Sequence, residues 1–146
     1  METLFSISNL LVLPFWLLMI LLPRWRVTER VMASLWPLAP AALLYAALVL
    51  PNLPALLPAL SNPDLATMAA LLGSPAGATV AWVHFLAFDL FVGRWIYWDG
   101  RRLKLSAWLV SPILFFVLMV GPLGLVLHLG TRMLKTRAPA LATEHY

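Results

Sequence analysis

Cysteine is absent from this chain of 146 residues, which excludes disulfides, thiolate metal sites and cysteine nucleophiles. Charge is scarce. Only 11% of residues are Asp, Glu, Lys or Arg, against about 25% in an ordinary soluble domain. Carboxylates are scarcer still, six against ten Lys and Arg, and histidines number three. That is too few, and too widely spaced, for the histidine boxes and carboxylate ligands of a membrane di-iron oxygenase. No phosphate-binding loop, dinucleotide fingerprint, serine nucleophile elbow or zinc signature occurs. Any chemistry here is therefore expected to need no cofactor and no metal.

What is present is apolar. Hydrophobic residues make up 62% of the chain and the mean hydropathy is +0.90, more apolar surface than a water-soluble monomer can hide. The formal charge of +4 does not point to nucleic acid, because the cations cluster beside apolar runs, as membrane proteins place them. The reading is an all-α, multi-pass integral membrane protein in which a four-helix bundle fills 1–137 and a disordered tail fills 138–146. Spans are expected over about 4–22, 34–50, 79–98 and 105–129, each near the ~20 residues a bilayer requires. Nothing before the first span reads as a signal or transit peptide.

Proline and glycine punctuate this plan. Pro14 is expected to kink the first span. Pro51, Pro54, Pro58 and Pro63 should break helix after the second, and Asn62-Pro63-Asp64 should open a short interfacial helix that Gly73 ends. Gly121-Pro122-Leu123-Gly124 interrupts the last span, as a simple kink or as the wall of a cavity. Three cations (Arg24, Arg26, Arg30) precede the second span and three (Arg101, Arg102, Lys104) follow the third. This places both loops inside and both termini outside, against the vote of Arg132, Lys135 and Arg137.

The third span carries the unusual residues. His84, Asp89 and Arg94 lie within it, and an ionisable group at a helix centre costs on the order of 2.5–3.5 kcal/mol in a bilayer. At 100° per residue, His84, Phe88, Phe91, Trp95 and Trp98 form one stripe. Asp89 stands about 140° away with Trp82, Phe85, Gly93 and Ile96, and about 7.5 Å below His84. Contact partners for both must come from other helices. Two readings of Asp89 stay open: a desolvated carboxyl acting as an acid, or a structural group paired with Arg94, Ser111 or a backbone group freed by proline. His84 and His128 are either an acid/base or ligand pair, or interfacial histidines with satisfied hydrogen bonds. The aromatic stripe is a ligand wall or an interface belt, Arg94 snorkels to the headgroups, and the Asp99-Gly100 turn sets topology.

At these residues the chain resembles the abscisic-acid-deficient-4 family of neoxanthin-synthase-like membrane proteins. The match runs through Val12-Leu13-Pro14-Phe15-Trp16, Pro23, Thr28 and Ser34. It continues in Trp82-Val83-His84, Asp89-Leu90-Phe91, Arg94, Tyr97 and Asp99-Gly100, and ends in Pro122-Leu123-Gly124 with His128. The resemblance implies a four-helix membrane protein acting on xanthophylls, by a redox-neutral isomerisation that opens an epoxide to an alcohol while a vinylic proton leaves to form an allene. An acid and a base are needed; Asp89, His84 and His128 are the groups this chain offers. Trp82, Phe85, Phe88, Phe91, Arg94, Trp95 and Tyr97 would line the groove for a carotenoid-like polyene. The alternative is a non-catalytic carotenoid- or lipid-binding partner of another enzyme. A proton-coupled carrier built on Asp89 is disfavoured, since no inverted repeat is visible. Membrane lipids are expected neighbours, with self-association or a partner enzyme left open. The expected home is a prokaryotic cytoplasmic membrane or a thylakoid-type membrane.

Overall fold

The computed structural model describes residues 1–137; the tail expected to be disordered over 138–146 lies outside the described residues. The chain runs through α1 (Glu2–Leu21), α2 (Arg26–Ala33), α3 (Ala39–Val49), a 3-10 turn (Leu50–Asn52), α4 (Leu53–Ser61), α5 (Leu65–Gly73), α6 (Pro75–Arg102) and α7 (Ala107–Thr136). No strand occurs among the described residues. Four stretches are long and apolar enough to cross a membrane: α1, Ala39–Ser61 (α3 through α4), α6 and α7. The expected all-helical fold with four such helices is met. Leu43, Trp108 and Leu134 turn their side chains outward, as lipid permits and water opposes.

α6 is the hub, packing against α1, α3, α5 and α7. Against α1 it meets a stripe of Ser8, Val12, Trp16 and Met19, all buried at helical spacing. Gly93 makes the closest approach: a Cβ there would lie 2.5 Å from the Trp16 ring. α1 remains helical through Pro14. Donors from α6 then grip the link between α1 and α2. Tyr97 Oη and Arg101 Nη1 both donate to the carbonyl of Pro23, while Arg94 Nε and Trp98 Nε1 donate to that of Met32. Thr28 Oγ1 donates to the Leu22 carbonyl at 2.7 Å, which also accepts the Trp25 N–H, so the end of α1 is capped from the following segment.

The second span departs from expectation. It begins at Ala39 and continues to Ser61, because Pro51 and Pro54 occupy first-turn positions of new helical segments. There the missing N–H costs nothing. The N-cap of α5 is Asp64, whose side chain accepts from the N–H of Thr67 at 2.9 Å. Hydrogen bonding to Thr67 holds this carboxyl below its usual range. α5 packs against α6 and walls a cavity with it.

α7 has the most consequential geometry. Val120 is non-helical (φ −146, ψ 67), and a Cβ on Gly124 would sit 2.3 Å from the backbone nitrogen of Val117. In a straight helix those residues are about 10.5 Å apart along the axis. The arms 107–119 and 121–136 therefore fold back on one another. Contacts with α6 agree: Gly100 meets Val110 of the first arm, Gly121 meets Asp89, and His128 and Arg132 of the second arm return to Asp99. The arms are about 20 and 24 Å long, short of the ~30 Å hydrocarbon core. The start and end of α7 consequently leave the bundle at the same end. The expectation that both termini sit opposite the cationic loops is corrected for this end of the chain.

Candidate functional site

Two polar centres stand on α6, at opposite ends. The outer one borders an open cavity of about 400 Å³ lined by α3, α4, α5 and the first half of α6. Its walls are apolar, among them Leu48, Leu56, Met68 and Phe85, and its polar lining residues are Tyr45, Asn52, Ser74 and His84. Asn52 and Ser74 spend their side chains on backbone, Asn52 on the Leu48 carbonyl and Ser74 on the Leu71 carbonyl and the Gly77 N–H. Tyr45 and His84 make no such bond among the described residues. Their rings lie 5.4 Å apart, and the imidazole stacks on Phe88 at 4.6 Å. An unspent phenol and imidazole thus share one apolar hollow. Phe85, Phe88 and Phe91 are all more than half exposed and extend an aromatic surface from the cavity edge down α6.

The inner centre is sealed. His128 Nε2 lies 2.9 Å from Asp99 Oδ2, and Arg132 Nη1 binds the other carboxylate oxygen. Exposures are 0%, 4% and 2% for His128, Asp99 and Arg132. The Trp95 ring meets the imidazole nearly at right angles, with ring centroids 5.2 Å apart. His128 and Arg132 are i and i+4 on the second arm of α7, so one helix face delivers both to one carboxylate. Nδ1 of His128 is buried without a hydrogen-bond partner among the described residues.

Asp89 lies between these centres and joins neither. It is half-buried, and its carboxylate occupies the space a side chain at Gly121 would need, 2.0 Å from such a Cβ. It packs at the start of the second arm of α7, near the bend, and the pairing with Arg94, Ser111 or a freed backbone group that the structural reading requires is not made among the described residues. His84 and Asp99 are about 22 Å apart along α6, so the expected pairing of His84 with His128 is corrected: His128 belongs to the other end. Among the described residues no group of three or more His, Asp or Glu is placed to hold a metal.

The remaining groove candidates disperse. Trp82 stacks on Phe5 and donates its indole N–H to Asn9. Arg94 is committed to the Met32 carbonyl in the last turn of α2 and Tyr97 to that of Pro23 in the link, so Arg94 ties α6 to the end of α2 rather than reaching out to headgroups. Trp95 covers the inner centre. Of that set only Phe85 lines the outer cavity, with Phe88 and Phe91 beside it. Sequence reasoning overlooked Tyr45 and Arg132 and took Asp99 for a topological residue. The i, i+4 spacing of His128 and Arg132 was the available signal for the inner centre; Tyr45 offered none beyond being a phenol in an Ala- and Leu-rich span.

The ABA DEFICIENT 4-like family model matches residues 3–128. The chain is 30% identical over 137 residues to the Arabidopsis thaliana protein "ABA DEFICIENT 4, chloroplastic", covering 90% of this chain and 61% of that protein. It thus spans about three fifths of that relative's length. No solved structure matches.

Proposed function

The chain belongs to the ABA DEFICIENT 4-like family, and from that membership we propose a membrane-embedded carotenoid-modifying protein that isomerises an epoxide end group by acid/base chemistry in the α3–α6 cavity. The carrying observation is the pair of unspent polar side chains, Tyr45 and His84, in an otherwise apolar hollow. A polyene end ring would occupy the cavity and its conjugated tail would lie along Phe85, Phe88 and Phe91. The proposed setting is a thylakoid-type or bacterial inner membrane.

The chemistry balances without a redox partner. The Tyr45 phenol donates its proton to the epoxide oxygen as the C–O bond breaks, giving the tertiary alcohol. His84 takes the vinylic proton, and the electron pair left behind completes the allene. Imidazolium and phenolate, neighbours across 5.4 Å between ring centroids, then exchange a proton and reset. General acid–base assistance of this kind contributes typically 10²–10⁴-fold. Asp89, packed against Gly121 outside the cavity lining, and His128, sealed beneath Trp95, are assigned supporting roles.

Expression in a host that accumulates an epoxy-carotenoid, with chromatographic analysis of pigments, tests this. A new isomer is expected, reduced at least 100-fold in His84→Ala and Tyr45→Phe at equal protein level, and retained in Asp89→Asn. Pigment that co-purifies unaltered favours the second reading, a carotenoid-binding partner protein, for which the exposed phenylalanine surface speaks. A chain that neither binds nor converts pigment overturns both.

A further inference from the structure

We propose that the groove between the end of α1 and the start of α7 is a binding site for an anionic membrane lipid, with Arg24 receiving the headgroup. The groove measures about 480 Å³, is lined mainly by apolar residues from Ile20 to Leu22 together with Trp25 and Trp108, and holds Ser111. A second hollow of about 220 Å³, which includes Tyr97 and Arg101, shares Pro23, Arg24 and Ala107 with it. Arg24 stands where the two meet.

Three observations select the occupant. First, Arg24 is exposed and has no acidic partner among the described residues, whereas Arg101 is tied to Glu29 and Pro23, Arg132 to Asp99 and Arg94 to Met32. Second, the fold-back of α7 gathers charge of one sign. All ten Lys and Arg fall within 24–30, 94–104 and 132–137, and these stretches meet at one end of the bundle. The acids in the same stretches, Glu29 and Asp99, are already paired. Anionic charge is what that end lacks. Third, Trp25 and Trp108 are 50% and 90% exposed at the groove, the amphipathic residues that sit at headgroup level. An apolar trough below an unpaired guanidinium fits an acyl chain below a phosphate; a free phosphate would leave the trough unfilled.

Native mass spectrometry of the full chain released from detergent tests the site, with phosphatidylglycerol, phosphatidylcholine and inorganic phosphate as probes. Phosphatidylglycerol adducts are expected to exceed phosphatidylcholine adducts several-fold. Arg24→Gln should weaken the anionic adduct roughly fivefold, near the ~1 kcal/mol that one cation contributes at a membrane surface. Trp108→Ala should weaken both lipids, while Arg30→Gln, outside the groove, should change little. Unaltered circular dichroism and melting of each variant separate binding from folding. Equal binding of the two lipids, displacement by millimolar phosphate, or equal losses in Arg24→Gln and Arg30→Gln would overturn the proposal. So would a lipid-free dimer, which would assign the groove to a second copy.

Discussion

Asp99 is the residue on which the inner half of the molecule turns. A buried carboxylate is tolerable only when paired and hydrogen-bonded, and here both oxygens are engaged, by His128 and Arg132. Removing one member of a buried ion pair typically costs 3–5 kcal/mol, because the partner charge stays in a low-dielectric site. Asp99→Asn is therefore expected to lose about that much, read as an earlier midpoint in detergent or denaturant unfolding. Joint replacement of Asp99 and Arg132 by apolar residues of similar volume should recover most of it, since no uncompensated charge remains. If Asp99→Asn unfolds like the parent, the cluster does not anchor α7. Sequence reading reached His128 through its surroundings but missed its partners. Arg132 looked like one more cation of a basic tail, and nothing local to Asp99 reveals a group that returns from far along the chain.

The α7 hairpin is the element that makes those partners meet. Gly121-Pro122-Leu123-Gly124 was legible as an interruption, but a break in propensity does not state its angle. That angle is set by contacts distant in sequence: Asp89 at Gly121, Val117 against Gly124, and Asp99 with the second arm. The same logic explains the second span, where proline spacing suggested an end and first-turn positions allowed continuation. Two alanine substitutions separate packing from propensity within α7. A Cβ at Gly124 would press on the backbone of Val117, which cannot yield, whereas one at Gly130 meets nothing within 4 Å among the described residues. Gly124→Ala is expected to destabilise by about 1–3 kcal/mol through overpacking. Gly130→Ala should be neutral or stabilise by up to about 1 kcal/mol through helix propensity. Equal effects at the two positions, measured by thermal unfolding in one detergent, would mean that the arms do not pack as described.

At the scale of the whole molecule, the hairpin resolves a conflict that charge counting left standing. Six cations in two loops outvoted three near the chain end only if the last apolar stretch crossed the bilayer. Folded back, it leaves Lys135 and Arg137 at the end of the bundle that holds Arg101, Arg102 and Lys104, the arrangement that a one-sided placement of cations requires. The consequence is measurable because the chain contains no cysteine, so single cysteines can be introduced without background. Cysteines replacing Lys104 and Lys135 should react with a membrane-impermeant maleimide from the same face of sealed vesicles. A cysteine replacing Glu2 should react from the opposite face, since α1 enters the bundle at the end where Phe5 meets Trp82. Labelling of the Lys104 and Lys135 positions from opposite faces would require a continuous crossing by α7. That crossing would carry His128 and Arg132 away from Asp99, and the sealed centre, the one-sided charge and the lipid groove beside Arg24 would all lose their basis together.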